Sequence, residues 1–539
     1  MSTNISKEKR EQLIAKISEI KAFIEKSADD KNKSNLLSYM GDLQKELINK
    51  HYGLIFEEHR ERIDEILSEN LPVLTEEKDL FIDNGGQQNF LIEGDNLASL
   101  QLLEKTHRGK IDLIYIDPPY NTGNSFIYDD HIVDETDSFK HSKWISFMEK
   151  RLKISKVLLS KNGLIFISID DKEEAVLRVL CDSIFGEDRF LTTIGWEKRT
   201  KCQNTKTSRK MLQPKVEYIF VYKNYDERAE FNCHVIGENE YPETDSKGNY
   251  RQEEIGQMSA SGIRGRGSMI FPILDVYPRP GNQWKIGQDT VNEFLERKDL
   301  VKIGDKVYRK IRPDDESSDK IKPFWALFGA EQYGTAESAK GELSRILDNK
   351  EHGFETVKPS QLIEDIIFQS TSNNSTILDF FAGSGTTGQA VMDTNKDYGG
   401  KRKFILCTNN ENSICRDVTY ERIKRVIQKE NYAASLKYFR VEYIPITDRV
   451  YYDYADQLLE HTKELVELEN AVNFTGNAQL AIILSEDELD SFCADKEKIS
   501  RCKKIYLGHE CATTAEQDEL FVKQQISVIR IPNYYYKED

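Results

Sequence analysis

Residues 110–120 read KIDLIYIDPPY, an apolar strand that ends in an aspartate and two prolines. The run from Ile111 to Ile116 is typical of a strand buried inside a parallel sheet, which places Asp117 at the carboxyl end of that strand. Pro118 and Pro119 have a fixed φ and no amide hydrogen, so they predict a rigid corner with free carbonyl acceptors. Open α/β sheets bind ligands at this edge, and we expect a site there.

The same alternation of strand and helix continues on both sides of this stretch. Apolar runs at 89–95 and 163–170 are each followed by a segment of helical length. The alternation fails over 225–350, which is rich in charge, glycine and proline, and resumes with strands at 376–381 and 403–408. We therefore predict a parallel sheet covered by helices, built from two separated stretches and interrupted by an inserted domain.

Five regions follow from these changes of pattern. In the first, Leu13, Ile17, Ile20 and Ile24 repeat at helical spacing, which predicts a helical hairpin that either packs on the main domain or pairs with a second copy. The predicted regions are a helical hairpin region (1–80), one half of the main domain (81–224), an inserted domain (225–350), the other half of the main domain (351–435) and a small α/β domain (436–539).

The composition indicates a multidomain protein without a membrane anchor. A chain of 539 residues exceeds one ordinary core, and no run approaches the roughly 20 apolar residues of a membrane helix. The first residues do not resemble a secretory signal, so we expect a cytoplasmic protein. The eight cysteines form no CxxC pair, and Cys502, His509 and Cys511 are expected to pack rather than to bind metal.

The formal charge of −17 means that contacts with nucleic acid must be concentrated in local basic patches. Segment 197–215 carries one acid, Glu197, among many cations, and SGIRGRGSM (261–269) is a sparser candidate. Each segment is either a solvated loop or a phosphate contact. The candidate DNA-binding cations are Lys198, Arg199, Lys201, Lys206, Arg209, Lys210, Arg264 and Arg266.

The stretch DFFAGSGTTG (379–388) places Gly383, Gly385 and Gly388 after a strand and at the start of a helix. Glycines there allow a ligand to approach the backbone closely, and the helix start presents free amides to it. Glu411 follows the next strand, where an acid accepts both hydroxyls of a ribose. The glycine loop and the acid together would suit a nicotinamide dinucleotide as well as other nucleoside cofactors.

The corner from Asp117 to Tyr120 discriminates between these ligands. An aromatic amine attacks poorly until acceptors hold its two hydrogens, because its lone pair is delocalised into the ring. Asp117 and the Pro118 carbonyl supply two such acceptors, and Tyr120 can stack on a base rotated out of its helix. The corner is either a plain turn or a site at which the exocyclic amine of a nucleobase attacks an electrophile, and the nearby glycine loop and acid favour the second interpretation.

DPPY followed by FAGSGTT resembles the amino-methyltransferases of DNA, and the order of the two motifs is similar to that of their circularly permuted beta group. HYGLIFEEH, LIEGDNLASLQLL, TVKPSQLI and RKFILCTNNEN resemble segments of the modification subunits of type III restriction-modification systems. This resemblance implies an α/β fold with a Rossmann-like, circularly permuted methyltransferase sheet. It also implies S-adenosylmethionine as cofactor and the N6 amine of adenine as target.

Individual roles are carried over from the resemblance position by position. It implies catalytic roles for Asp117, Pro118, Pro119 and Tyr120, and cofactor contacts for Asp95, Asn96, Lys358, Pro359, Asp379, Phe381, Gly383, Gly385 and Glu411. Asp95 and Asn96 would hold the cofactor's adenine, although a helix cap explains this pair as well. Residues 121–130 are expected to form a loop over the flipped base, and 225–350 the target-recognition domain.

Other activities share part of this pattern. Cytosine N4 methylation uses the same acceptors, but relatives with that specificity favour serine in place of Asp117. Permuted RNA adenine methyltransferases usually have tryptophan in place of Tyr120. A dinucleotide-binding module would need no DPPY at all, so adenine methylation in DNA is the preferred interpretation.

The expected partners follow from the same resemblance. Both a solitary adenine methyltransferase and a type III modification subunit are consistent with these motifs. The second implies a restriction subunit that carries the ATPase and nuclease parts, since no GxxxxGK[ST] occurs in this chain. We expect double-stranded DNA as substrate, S-adenosylhomocysteine as product, a homodimer and no membrane partner.

Overall fold

Strands and amphipathic helices alternate along the chain, and nearly every residue of a central strand such as Ile111–Ile116 is buried, so helices cover both faces of the sheet. A computed structural model describes residues 5–26, 33–48, 56, 58–121, 140–206, 208–224, 231–262, 265–316, 319–446, 459–508 and 511–531. Contacts divide the chain into two units, residues 1–230 with 326–539 and residues 231–325.

The elements of both units are numbered in chain order. The strands are β1 (Asn70–Glu76), β2 (Gln87–Glu93), β3 (Ile111–Ile116), β4 (Leu159–Ile169), β5 (Phe190–Glu197), β6 (Val216–Lys223), β7 (His234–Glu238), β8 (Glu243–Asp245), β9 (Gly248–Glu254), β10 (Gln257–Ser259), β11 (Asn282–Trp284), β12 (Leu300–Ile303), β13 (Lys306–Ile311), β14 (Asp319–Lys322), β15 (Leu327–Phe328), β16 (Thr376–Asp379), β17 (Lys403–Thr408), β18 (Ala434–Pro445), β19 (Leu480–Ile483), β20 (Lys504–Leu507) and β21 (Ser527–Arg530). The helices are α1 (Ile5–Lys26), α2 (Lys33–Ile48), α3 (Arg62–Glu69), α4 (Asn96–His107), α5 (Lys140–Leu158), α6 (Glu174–Phe185), α7 (Gln288–Glu296), α8 (Ala330–Tyr333), α9 (Ala336–Leu347), α10 (Ser360–Ser370), α11 (Thr386–Tyr398), α12 (Glu421–Glu430), α13 (Thr462–Asn470), α14 (Glu486–Ala494), α15 (Lys496–Arg501) and α16 (Ala515–Gln524).

The main sheet has ten strands in the order β1-β18-β2-β17-β16-β3-β4-β6-β5-β15. Neighbouring strands from β18 to β4 are parallel, whereas β6 runs antiparallel to both β4 and β5. The late strands β16 and β17 lie between the early strands β2 and β3, and Leu378 pairs with Ile114. This arrangement confirms the predicted Rossmann-like, circularly permuted sheet and brings the carboxyl ends of β3 and β16 together.

The inserted unit, residues 231–325, has its own core of Ile255, Trp284, Val291 and Val307. Its strands form a four-stranded sheet in the order β12-β13-β9-β8 and two strand pairs, β10 with β11 and β7 with β14. The inserted unit ends at residue 325, earlier than the predicted limit of residue 350. The residues after it belong to the main unit, because β15 pairs with β5 in the main sheet and α9 packs against α12.

Both ends of the chain add to the main unit. Helices α1 and α2 pack against each other as the predicted hairpin, and β19, β20 and β21 form a small parallel sheet. The predicted limits, 1–80 and 436–539, each include a strand of the main sheet, because β1 pairs antiparallel with β18 at its edge. Among the described helices, none combines the length and apolarity that a bilayer span requires.

A buried ion cluster ties the carboxyl-terminal segment to the main sheet. Lys437 on β18 is 1% exposed and contacts Glu76 of β1 at 2.8 Å and Glu467 of α13 at 2.7 Å. Lys463 contacts the second oxygen of Glu76 at 3.3 Å. Without Lys437, Glu76 and Glu467 would keep only the longer contacts to Lys463, at 3.3 and 3.8 Å. Removing one partner of a buried ion pair costs more than the net gain from the intact pair, because the remaining charge stays buried with too little compensation.

We expect Lys437→Met, which keeps the volume of the side chain, to lower the free energy of unfolding by about 3–5 kcal/mol because two buried carboxylates lose their shared cation. Calorimetric melting of the full chain measures this as a lower Tm. Lys396→Ala, which breaks an exposed pair with Glu430, is the control and should melt close to the unaltered protein. Equal shifts in the two variants would contradict the assignment.

Candidate active site

The DPPY corner follows β3, and Lys358, directly before α10, holds its aspartate. The Lys358 ammonium donates to Asp117 Oδ1 at 2.7 Å and to the Tyr120 hydroxyl at 2.8 Å. The Tyr120 hydroxyl donates to the same Asp117 oxygen at 2.5 Å. Lys358 is 8% exposed, so these bonds are shielded from water. Among the described residues no hydrogen bond reaches Asp117 Oδ2, which leaves this oxygen as an acceptor.

Glu217, the second residue of β6, is a second anion for the same lysine. Its carboxylate lies 3.3 Å from the Lys358 ammonium and accepts from Lys198 Nζ at 2.9 Å. Burial lowers the pKa of Lys358, but the carboxylates of Asp117 and Glu217 outweigh it and raise that pKa above its ordinary value. Lys358 therefore stays charged and serves as a donor, not as a base.

Burial also determines the protonation of Tyr120. Burial is the main cause that raises the pKa of the Tyr120 phenol well above its ordinary value, and the negative charges of Asp117 and Glu217 raise it further. Tyr120 therefore stays neutral and keeps the proton that it donates to Asp117. The ring remains available to stack on a planar ligand.

The two proline carbonyls differ in their partners. The Trp144 indole on α5 donates to the Pro119 carbonyl at 2.6 Å, which fixes the corner against the start of that helix. No hydrogen bond from the part of the chain that the structure describes reaches the Pro118 carbonyl. Within the described residues, the corner thus offers two open acceptors, Asp117 Oδ2 and the Pro118 oxygen, which is the number that an amine with two hydrogens needs.

A cleft opens beside this corner at the ends of β2, β16 and β17. Thr408 Oγ1 and Asn409 Oδ1 in its wall are buried and have no hydrogen-bond partner among the described residues. Buried polar atoms rarely stay unpaired, so these two atoms are suited to a polar ligand. The cleft is lined by Asp95, Asn96, Pro119, Phe147, Phe380, Phe381, Thr408 and Asn409.

The buried Arg151 of α5 braces one wall of this cleft. Its guanidinium donates to Asn96 Oδ1 at 2.5 Å and to both oxygens of Glu61 at 2.9 Å. The amide of Asn96 donates to the Phe380 carbonyl at 3.1 Å, and the Arg151 guanidinium carbon lies 3.6 Å from the centre of the Phe147 ring. The wall is therefore held in place before any ligand binds.

The glycine loop between β16 and α11 is supported from α12 and the π-helical turn Ile414–Tyr420. Gly385 has φ +76°, and a Cβ there would meet the Thr419 methyl at 3.2 Å. The Thr419 hydroxyl donates to the Gly383 carbonyl at 2.5 Å, and the buried Arg422 donates to Thr386 Oγ1 at 2.7 Å. These contacts fix the loop with the amides at the start of α11 facing the sheet edge.

Asp379 ends β16 and is buried beneath this loop. Its carboxyl accepts from the Phe381 amide at 3.0 Å and from the Thr387 hydroxyl at 2.5 Å. Burial raises its pKa to about 7, and the charge of Asp117 adds to that shift. The parallel pairing of β3 with β16 brings Asp117 and Asp379 to one edge of the sheet.

Three other predicted cofactor residues, Asp95, Pro359 and Glu411, lie at different distances from the cleft wall. Asp95 caps α4 through the Leu97 amide at 2.7 Å and also lines the cleft, so it fits both interpretations of its role. Pro359 caps α10 and so precedes the helix rather than lying inside it. Glu411 starts a short 3-10 turn beyond β17, whereas Thr408 and Asn409 form that part of the cleft wall.

The predicted DNA-binding cations divide into several groups. Lys198 is half-buried in its ion pair with Glu217. Arg266 is exposed in the inserted unit, Arg264 lies outside the described residues, and so does the predicted loop 121–130 beyond Asn121. The predicted cations exposed on the segment between β5 and β6 are Arg199, Lys201, Lys206, Arg209 and Lys210. Lys215 of the same segment is exposed as well and pairs with Glu197.

Sequence reasoning missed Glu217, Arg151, Trp144, Thr408 and Asn409. Three of them act through a partner that is distant in the chain, such as Arg151 through Asn96. The other two, Thr408 and Asn409, are recognised only by their place in the cleft wall. The available signals were weak: an acid at the start of the strand EYIFVY and two polar residues directly after FILC. No cluster of His, Cys, Asp and Glu among the described residues is arranged to hold a metal ion.

The sequence is similar to known DNA methyltransferases. The family model described as DNA methylase matches residues 111–421. The chain is 30% identical over 400 residues to the type III restriction-modification enzyme StyLTI Mod subunit of Salmonella typhimurium, covering 66% of this chain and 59% of that one. It is 32% identical over 385 residues to the type II methyltransferase M.KpnI of Klebsiella pneumoniae, covering 65% of this chain and 90% of that one.

A further type III relative is also matched over only part of its length. The type III restriction-modification enzyme EcoPI Mod subunit of Escherichia phage P1 is 31% identical over 389 residues, covering 61% of this chain and 58% of that one. The chain thus spans about three-fifths of the length of the type III relatives it matches.

We expect the Asp379 carboxyl to keep its proton up to about pH 7. Because its pKa is higher in the folded than in the unfolded state, its contribution to stability is present in acid and is lost as the pH rises through 7. Infrared difference spectra between the protein and Asp379→Asn, recorded across this range, report the ionisation. Titration near the ordinary aspartate value of about 3.9 would contradict the burial argument.

Proposed function

Because this chain belongs to the DNA methylase family, we propose that it transfers the methyl group of S-adenosylmethionine to the N6 amine of adenine in double-stranded DNA. The observation that carries the proposal is the pair of open acceptors, Asp117 Oδ2 and the Pro118 carbonyl, beside a cleft with unpaired polar atoms. S-adenosylhomocysteine is the second product.

The residues of the cleft fit this cofactor. Thr408 Oγ1 and Asn409 Oδ1 are acceptors suited to ribose hydroxyls or the adenine amine, and Asp95 and Asn96 lie on the same wall. We assign the methionine portion to the glycine loop, with Gly383, Gly385, Asp379 and Phe381 around it. When bound, S-adenosylmethionine supplies an electrophilic methyl group on a sulfonium centre.

On the target side, the corner prepares the amine for attack. Asp117 Oδ2 and the Pro118 carbonyl each accept one amine hydrogen, which favours a pyramidal nitrogen with a localised lone pair. Tyr120 stacks on the flipped base, while Lys358 donates to Asp117 Oδ1 and so fixes the position of the carboxylate. With the cofactor bound, these two acceptors would hold the amine nitrogen towards the methyl group and would pass one amine proton to solvent.

We assign Lys358 to the target side rather than to the methionine portion. Its ammonium contacts Asp117, Tyr120 and Glu217, which accounts for all three of its donors. Pro359 then acts by capping α10 and setting the position of Lys358.

We further propose that the chain is the modification subunit of a type III-like system, working in the cytoplasm as a homodimer with a restriction subunit. The names of the type III relatives support this, while the high coverage of M.KpnI supports a solitary methyltransferase as the second candidate. The inserted unit, with the exposed Arg266, is assigned to target recognition. Co-purification with a restriction subunit encoded beside it separates the two candidates.

We expect Asp117→Ala to lower methyl transfer to DNA by roughly a hundredfold or more, because the amine loses a positioned acceptor. Titration calorimetry should show that the variant still binds S-adenosylmethionine, and that neither protein binds NAD. Asp171→Ala, at an exposed position after β4, is the control. Unchanged turnover in Asp117→Ala would refute the assignment, and NAD binding would favour a dinucleotide-binding module.

The exposed cations between β5 and β6 should contact DNA phosphates. Replacing Lys201, Lys206 and Lys210 together by Gln should reduce the slope of log affinity against log salt by about 0.9 for each phosphate that the protein no longer neutralises. The matched control replaces Lys396, Lys429 and Lys498, which are exposed on other helices. A slope that is the same in both triple variants would identify the segment as a solvated loop.

A further inference from the structure

The segment that joins β5 to β6 ends in an apolar tip. Leu212 is 98% exposed, and its neighbour Met211 is 60% exposed. Two large apolar side chains that stay in water at one loop tip give up the stabilisation that burial would provide. A partner that buries the tip would recover this stabilisation.

The tip is held by hydrogen bonds within the loop. Gln213 accepts from the Gln203 amide at 2.7 Å and donates to the Gln203 carbonyl at 2.8 Å, which closes the loop on both sides of the tip. Inside it, the buried Ser208 donates to the Gln203 carbonyl at 2.8 Å and accepts from the Thr205 amide at 2.7 Å. A braced loop loses little conformational entropy when its tip inserts into a partner.

The charge around the tip indicates the class of partner. The sequence from Lys198 to Lys215 contains no acid, and six of its cations are exposed on the loop. Apolar side chains at the centre of a basic surface match proteins that wedge between DNA bases while cations hold the phosphates. An anionic lipid surface has the same charge, but the position of the loop favours DNA.

The base of the loop adjoins the DPPY corner. Lys198 and Lys215 close it through an amide–carbonyl bond of 3.0 Å, and Lys198 pairs with Glu217. Glu217 contacts Lys358, which holds Asp117. Because β6 begins where β4 ends, the loop rises from the same sheet edge as the site.

We propose that Leu212, supported by Met211, inserts into the base stack at the target and occupies the space that the flipped adenine leaves. This inference rests on the proposed methyl transfer to DNA and names the residue that opens the duplex. Extruding a base costs pairing and stacking energy, and a side chain that fills the gap recovers part of it. Leu212 is thus a positioning residue, since it acts on the adenine's location rather than on its amine.

The test compares one target site in two duplexes. The site is first mapped in unmethylated plasmid DNA treated with the protein; one duplex then pairs the target adenine with thymine, and the other places it opposite an abasic position. Leu212→Ala should lower kcat/KM about tenfold on the paired duplex. On the abasic duplex this deficit should disappear, because the base is already unpaired.

Further variants separate a wedge from an ordinary contact. Leu212→Met should restore activity on the paired duplex because it keeps an apolar side chain of similar length. Val522→Ala, at a position that is 79% exposed on α16, is the control for loss of a surface apolar group and should match the unaltered protein on both duplexes. With 2-aminopurine at the target, Leu212→Ala should reduce the fluorescence increase that accompanies flipping.

Three results would overturn the proposal. An equal loss on both duplexes would make Leu212 an ordinary binding contact, and no loss on either would leave the tip without a role in flipping. Binding to phosphatidylserine vesicles that Leu212→Ala abolishes, with methylation unchanged, would assign the tip to a membrane. Failure of the proposed function itself is distinguishable, because the unaltered protein would then methylate neither duplex.

Discussion

The parallel pairing of β3 with β16 is the constraint on which the site depends. Leu113 and Ile114 pair with Ile377 and Leu378. In the chain, these two strands are separated by three further strands of the main sheet, by the inserted unit and by β15. This register delivers the DPPY corner and the glycine loop to the same edge of the sheet. If another strand lay between β3 and β16, the acceptors of the DPPY corner would be too far from the cleft to serve one reaction.

Alternating charges then fix the chemistry at that edge. Asp117, Lys358, Glu217 and Lys198 form a chain of ion pairs that runs from the corner to the base of the loop between β5 and β6. Each buried charge has an opposite neighbour, so none carries an uncompensated desolvation cost. The same chain links the position of the acceptor to the surface on which we expect DNA to lie.

The sequence predicted the centre of this arrangement better than its borders. DPPY and FAGSGTTG carry local chemistry, and the strands beside them are continuous apolar runs, so the sheet and both motifs could be found. The limit of the inserted unit was misjudged because β15 contains only Leu327 and Phe328, too short a run to recognise. Glu217 and Arg151 were missed because their roles exist only through partners that the fold brings near.

The identity of the methylated base tests the account most directly. Unmethylated plasmid DNA is incubated with the protein and S-adenosylmethionine that carries a deuterated methyl group, then digested to nucleosides for mass spectrometry. The account predicts the deuterated methyl group on the N6 amine of deoxyadenosine, and its loss when Asp117 is replaced by Ala. Label on the N4 amine of deoxycytidine, or on no nucleoside, would contradict it.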